Sequence, residues 1–270
     1  MILRHLRGGL RAVLFTLLGL FGYPGPASAA GPDMYFDAPA DKQMAIAVAS
    51  GDIETMTALL SSKAIDPQAI GRKVTSWIEI AVIADQRKAF DTLVTWDALG
   101  PPKGKIAGQA MYSATIKGSI RWLERLHRAG ASLDNYGGGD LLIVQALDTR
   151  NEAVLDFYIR NGADLNMPAM AGGSVALSAA MTRRFDMVLK FLDLGASPWV
   201  MDALGSTLGS IAERAGRVPA WDHSSRMNQH RLELLARLHA IGFPDPAPTA
   251  EEGHVLRQKK QWPPKAAIRQ

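Results

Sequence analysis

Two short glycine-rich segments of the 270-residue chain contain residue types that could do chemistry. Residues 205–209 (GSTLG) have the glycine spacing of a nucleophile elbow, but the nucleophile position holds Thr207 and no hydrophobic strand precedes it. Residues 137–140 (GGGD) could cradle a phosphate, yet they lack the Lys-Ser/Thr pair of a phosphate-binding loop. We therefore predict no catalytic site at either segment and interpret residues 137–140 as a hairpin tip.

The histidines and the absence of cysteine bear on metal and redox chemistry. The chain has no cysteine, which excludes disulfides, thiolate catalysis and cysteine-ligated zinc. No two histidines have the i, i+4 spacing that places two metal ligands on one helical face. The six histidines are His5, His127, His223, His230, His239 and His254. We predict no metal site and no cofactor.

One segment stands out as a possible functional loop. Residues 216–228 interrupt an otherwise regular helical pattern and include Trp221, His223 and Arg226. Long loops in compact domains are often functional. The segment could instead cover the last hydrophobic face, with Trp221 turned inward. Both interpretations stay open, and the first makes an enzyme or enzyme-accessory subunit the alternative function.

The net charge of +4 comes from the two ends of the chain. Residues 1–29 carry +3 and residues 247–270 carry +3, so the body between them carries −2. A nucleic-acid partner would need a basic face on the folded body. We therefore expect no nucleic-acid binding, and we interpret residues 247–270 as a basic disordered tail.

The first 29 residues have the pattern of a secretory signal peptide. Arg4, Arg7 and Arg11 precede a short apolar run at residues 12–23, and the small residues 27–29 (ASA) fit a cleavage site near Ala29. The apolar run is shorter than the ~20 residues of a membrane-spanning helix. We expect a periplasmic or secreted protein without a stable membrane span; a retained anchor is the alternative.

A ladder of similar corners predicts the architecture. Gly130, Gly162 and Gly195 are 32 and 33 residues apart, and each follows an amphipathic helix. Lys63 and Asp97 continue the ladder backward without glycine, and an enlarged step leads forward to Gly242. We predict an all-α solenoid of five to six helix-pair repeats with short hairpin turns over residues 41–246. Asp41 caps its first helix, after a short lead at residues 30–40.

The corners resemble those of the ankyrin repeat, whose period is about 33 residues. Residues 162–166 (GADLN) match the closing G-A-D-[VIL]-N of that family, and residues 205–207 (GST) partly match its G-x-T opening. The resemblance covers residues 41–244, although no repeat carries the full T-P-L-H sequence. The resemblance implies a non-catalytic scaffold that binds a partner protein on a concave face lined by hairpin tips and first helices. A monomer is expected.

Aromatic and methionine residues near the tips are candidates for contact with a protein partner. Such side chains are enriched at the centres of interfaces, and methionine adapts to irregular partners. They could alternatively pack between neighbouring tips. The candidates are Tyr136, Met167, Met170, Trp199, Met201 and Trp221.

Overall fold

The computed structural model describes residues 31–218 and 222–264, so the predicted signal peptide lies outside the described residues. The described chain forms thirteen α-helices, of which the first twelve make six consecutive pairs. The pairs are α1 (Pro39–Ser50) and α2 (Ile53–Ser61), α3 (Trp77–Ile83) and α4 (Arg87–Thr95), α5 (Lys105–Ile116) and α6 (Ile120–Arg128), α7 (Leu142–Asp148) and α8 (Glu152–Arg160), α9 (Val175–Met181) and α10 (Phe185–Asp193), and α11 (Leu208–Gly216) and α12 (Arg226–Ala240). The last helix is α13 (Ala250–Gln258). The all-α prediction is confirmed.

The helices belong to two compact units. Of the described residues, unit 1 comprises residues 31–114 and Glu124–Ala131, and unit 2 comprises Thr115–Leu123, residues 132–218 and residues 222–264. Each has a core of apolar side chains from its helix pairs, and fully burying one large apolar side chain contributes roughly 1.5–3 kcal/mol. The largest fully buried side chains include Trp77 and Phe90 in unit 1 and Trp122, Tyr158, Phe185 and Phe191 in unit 2.

The predicted corners are left-handed turns at the ends of the second helices. Gly130, Gly162 and Gly195 have φ values of 105°, 81° and 92°. The next amide donates to a carbonyl five residues back, as from Ala163 to Tyr158 at 3.0 Å, which is the closure that ends many helices. Lys63 and Asp97 each have φ of 58° without being glycine, a conformation that costs an ordinary residue about 1–2 kcal/mol.

A second series of left-handed residues lies inside each of the first five pairs, where the first helix turns into the second. It occurs at residues 51, 85, 118, 150 and 183, each twelve positions before a corner. The residue that follows can reach back to the preceding pair: Gln86 donates to the Ala49 carbonyl at 3.1 Å, and Arg184 donates to the Leu147 carbonyl at 2.8 Å. The two turns of each repeat therefore fix the length of the second helix and the contact with the preceding helix pair.

Two expectations about the chain ends were wrong. The first helix begins at Pro39 after Ala38, so Asp41 lies in its first turn and does not cap it. Residues 247–264 are ordered rather than a disordered tail: Thr249 caps α13, and the Trp262 indole N–H donates to the Trp199 carbonyl at 2.8 Å. Trp262 also meets Phe243, with ring centroids 5.3 Å apart. Residues 265–270 lie outside the described part.

Helix α13 is held by backbone contact between two glycines. A Cβ added to Gly253 would lie 2.1 Å from the Gly205 carbonyl oxygen, and one added to Gly205 would lie 2.2 Å from the Ala250 oxygen. Neither contact can be relieved by moving a flexible side chain, because both involve main-chain atoms. Glycine at these two positions therefore lets α13 lie directly on the hairpin tip that precedes α11.

Replacing Lys63 by glycine should stabilise unit 1. Lys63 is exposed and left-handed, and glycine adopts this conformation without the Cβ penalty. We expect Lys63→Gly to raise the free energy of unfolding by about 0.5–1 kcal/mol in urea titrations. The same change at Asp97 should raise the free energy of unfolding by less, because it also removes the hydrogen bond that Gln68 donates to the Asp97 carboxylate at 3.1 Å. Loss of stability in Lys63→Gly would contradict this account of the corner.

Replacing Gly253 by alanine should release α13. Alanine favours helix over glycine by about 1 kcal/mol, but here its Cβ meets a backbone oxygen, and overpacking of this kind costs about 1–3 kcal/mol. Hydrogen exchange should become faster over residues 249–258 in Gly253→Ala. The control Glu251→Ala changes an exposed residue of the same helix and should leave exchange there unchanged. Equal exchange in both variants would show that the glycine contact does not hold the helix.

Candidate functional site

The hairpin tips of unit 2 are joined to one another. The first contains β1 (Tyr136–Gly137) paired antiparallel with β2 (Asp140–Leu141). The Tyr136 hydroxyl donates to the Pro168 carbonyl at 2.6 Å, and the Met170 amide donates to the Asp140 carboxylate at 3.0 Å. The Ala203 amide then donates to the Ala171 carbonyl at 2.8 Å. Three successive tips are therefore held in fixed register.

Side chains of the corners make similar links between neighbouring repeats. Asp134 accepts the Asp164 amide at 2.7 Å, and Asn166 accepts the Ser197 amide at 2.6 Å. The Asn166 side-chain amide also donates to the Gly195 carbonyl at 3.3 Å. These polar residues of the repeat signature therefore hold neighbouring repeats together and are not free for catalysis.

A cavity of about 200 Å³ opens between the tips and the first helices α7 and α9. Val144, Ala169 and Leu177 are buried and form its apolar part, to which the half-exposed Met181 adds its side chain. The remaining lining residues are Asp140, Asp148, Ala171, Gly173, Ser178, Thr182 and Asp202. Three aspartates line the cavity, and the same lining set contains no basic residue.

Asp202 has one carboxylate oxygen without a partner. Its Oδ1 accepts the amides of Leu204 at 2.9 Å and Ser206 at 2.8 Å, which shapes the hairpin tip. Its Oδ2 is buried and makes no hydrogen bond, although the residue is only 1% exposed. A buried polar atom left unpaired costs about 1–3 kcal/mol, and more for a charged group. Because Asp202 is one of the residues that line the cavity, a ligand that donates hydrogen bonds to its carboxylate would relieve this cost.

Two arginines lie near the acidic residues of the cavity. Partial burial raises the pKa of Asp148, the negative charge of Asp140 raises it further, and the positive charge of Arg184 opposes them. Arg257 approaches the third aspartate but donates to the Asp202 backbone carbonyl at 2.6 Å. Arg184 likewise donates to a backbone carbonyl. Both neighbouring guanidinium groups are thus engaged with the main chain.

The structure separates the predicted partner contacts into two groups. Met170 is 68% exposed, Tyr136 is 37% exposed and Met167 is half-buried, all near the tips that border the cavity. Met201 is buried, and Trp199 stacks on Phe243 with centroids 5.1 Å apart. The expectation was wrong for Met201, which is buried, and partner contact by Trp199, which is half-buried, stays a prediction. Trp221 lies outside the described residues.

Sequence reasoning missed the acidic residues and two exposed apolar residues. Leu204 is 74% exposed at the last tip, and Met181 is 47% exposed at the end of α9. Asp140 and Asp148 belong to one repeat, and stacking of repeats brings Asp202 of a later repeat to the same cavity. Their spacing, 8 and 54 residues along the chain, carries no recognisable motif.

The insertion forms the start of α12 where it is described. Ser225 caps the helix by accepting the Asn228 amide at 3.2 Å, and Asp222 accepts from the Ser224 amide and hydroxyl at 2.9 and 2.7 Å. The Asn228 side chain donates to the His223 carbonyl at 2.7 Å. These contacts are those of a helix N-terminus, and they give no geometric support to the alternative of an enzyme site here.

Unit 1 contains a buried carboxylate, Glu79, on helix α3. Its Oε1 accepts from the Ser113 hydroxyl at 2.7 Å and the Gln109 amide at 3.1 Å, whereas its Oε2 has no partner. Burial raises the pKa of Glu79 to about 7, and the two donors only partly oppose this. A carboxyl group with such a pKa holds its proton in mildly acidic conditions and loses it near neutrality.

Metal-binding and membrane-spanning features were sought in residues 31–218 and 222–264. No group of three or more histidine, aspartate or glutamate side chains in these ranges is arranged to hold a metal ion. Within the same ranges, every helix is too short or too polar to cross a bilayer.

The chain resembles several solved ankyrin-repeat structures. The ankyrin repeat domain of Bcl-3, of the IkappaB family, is 21% identical with a TM-score of 0.55 and covers 80% of this chain and 91% of its own. An Acinetobacter baumannii ankyrin repeat domain is 20% identical, with a TM-score of 0.53, covering 74% and 98%. A chain from the Bdellovibrio bacteriovorus complex of predatory endopeptidase Bd0816 with immunity protein Bd3460 is 19% identical, with a TM-score of 0.51, covering 73% and 97%.

These likenesses show that the chain has the ankyrin-repeat fold, as the corner sequences predict. No family model matches the sequence, and no curated protein matches it.

Glu79 should make stability depend on pH. The folded chain keeps the Glu79 proton up to about pH 7, whereas the unfolded chain releases it near the ordinary glutamate pKa of 4.5. The contribution is therefore full below pH 4.5 and is lost as pH rises to 7, by about 3 kcal/mol. In Glu79→Gln, the free energy of unfolding measured in urea should no longer fall between pH 4.5 and pH 7. The control Glu54→Gln, which changes an exposed residue, should keep the fall. An unchanged decline in Glu79→Gln would contradict the assignment.

Proposed function

We propose that this protein is a non-catalytic scaffold that binds a partner protein through the hairpin tips and first helices of unit 2. Ankyrin-repeat folds generally serve as protein-interaction domains, which supports the scaffold role. The observation that carries the choice of surface is the row of exposed apolar side chains on neighbouring tips, Tyr136, Met170 and Leu204, beside an acidic cavity. Exposed apolar side chains grouped beside polar ones are typical of interaction sites.

Rigidity of the tips supports the same surface. Hydrogen bonds join successive tips, so the side chains of Tyr136 and Met170 are presented by backbone that is already in position. Binding then costs less conformational entropy than it would on free loops. The Bdellovibrio structure is a complex of an endopeptidase with an immunity protein, which makes peptidases a reasonable first class of partner to examine.

Photo-crosslinking at single positions tests the proposed surface. A photoreactive residue at Met170 should capture a discrete partner in cells, because this side chain is 68% exposed on the tip face. The matched control is Leu232, which is 50% exposed on second helix α12, and which should capture little. Capture from Leu232 equal to or greater than that from Met170 would place the interface elsewhere and overturn the proposal.

We also propose that the mature chain acts in the periplasm or outside the cell. The support is the sequence of residues 1–29 alone, with its arginines, its short apolar run and the small residues before Ala30. Mass spectrometry of the protein from cells should find an N-terminus near Ala30 in the fraction released from the periplasm or medium. A chain that keeps residues 1–29 in the cytosolic fraction would contradict export.

A further inference from the structure

The cavity between the tips and helices α7 and α9 combines two kinds of surface. One part is apolar, from Val144, Leu177 and Met181, and the other is acidic, from Asp148 and Asp202. Lysine and arginine side chains have the matching composition, since an aliphatic stem carries a cationic head. We propose that this cavity seats one lysine or arginine side chain of the partner protein, an inference that rests on the proposed function.

The size of the cavity favours a single side chain. At about 200 Å³ it is smaller than the roughly 300–1,000 Å³ of sites that enclose a small-molecule ligand. The cavity opens beside the exposed tips, where Met170 and Leu204 can contact the residues that flank the basic one. A partner segment with apolar residues around a lysine or arginine therefore fits the surface.

The unpaired carboxylate oxygen of Asp202 favours a ligand that donates a hydrogen bond. Its Oδ1 is already committed to two backbone amides of the tip, and its Oδ2 is buried without a partner. A lysine ammonium or an arginine guanidinium supplies N–H donors and a compensating charge together, and hydrogen bonds between charged groups are roughly twice as strong as neutral ones. The bound side chain thereby removes a cost that the free protein carries.

Neighbouring basic residues leave room for this ligand. Arg257 and Arg184 donate to the carbonyls of Asp202 and Leu147 respectively. Burial raises the pKa of Asp148, the negative charge of Asp140 raises it further, and the positive charge of Arg184 only partly offsets these effects. An organic cation fits better than a metal ion, because the acidic side chains in residues 31–218 and 222–264 form no metal-ligating group.

The test uses the mature full chain and a pair of short peptides that differ in one charge. The first is acetyl-Leu-Arg-Leu-amide, and the second replaces arginine by citrulline, which has the same shape and no charge. Methyl NMR of Met181 reports binding inside the cavity. We expect the arginine peptide to shift the Met181 methyl signal with saturation, and the citrulline peptide to bind at least tenfold more weakly.

Variants assign the charge that is recognised. Asp202→Asn keeps an oxygen acceptor for the two tip amides and removes the charge, and Asp148→Asn changes an exposed residue. Each variant should lower the affinity for the arginine peptide by tenfold or more and leave the midpoint of thermal unfolding unchanged. If Asp202→Asn does not fold, the result for Asp148→Asn alone decides. The matched control Asp186→Asn, exposed on α10, should leave affinity unchanged. Equal binding of both peptides, or equal weakening by Asp186→Asn, would overturn the inference.

Failure of this inference can be told from failure of the proposed function. If the Met170 crosslink forms in the wild-type chain and is unaffected by Asp148→Asn and Asp202→Asn, the tip face binds a partner but the cavity does not recognise its basic residue. If the wild-type chain forms no crosslink at Met170, the surface itself is wrong.

Discussion

The structure depends on a left-handed residue at a fixed place in each repeat. A helix pair cannot bury both of its faces alone, so neighbouring pairs must stack in one register. The corners at Gly130, Gly162 and Gly195 fix that register, because each ends its helix with the same amide-to-carbonyl closure. The inner turns lie twelve residues before them. With both turns fixed, the hairpin tips of unit 2 lie close enough to hydrogen-bond, and the acidic cavity forms behind them.

The corners could be predicted from sequence because the constraint acts on one residue at a time. Glycine marks a left-handed position directly, and a constant spacing carried the pattern to Lys63 and Asp97, where the side chain argues against it. The helix near the C-terminus was harder to predict. Helix α13 buries only Gly253, so its sequence shows no apolar periodicity, and a backbone contact between two glycines leaves no signal that a hydrophobic pattern can carry.

The candidate site was predictable only in part, for a related reason. Tyr136 and Met170 could be chosen by residue type and position, and both are exposed on the tips. Met201 satisfies the same criteria but is buried, and Trp199 is half-buried because Phe243 and Trp262 contact it. The aspartates of the cavity come from two repeats, Asp140 and Asp148 from one and Asp202 from another, and stacking brings the two repeats together. Glutamate is usually a surface residue, so the burial of Glu79 likewise could not be predicted from the sequence.

The central claim is that the tip face of unit 2 is where a partner binds. Hydrogen–deuterium exchange of the mature chain, alone and in complex with the partner captured at Met170, tests it most directly. The account predicts slower exchange at the tips near residues 136–140, 168–173 and 201–206 and in helix α9, with α10 unchanged. Protection confined to the second helices, with the tips unaffected, would contradict it.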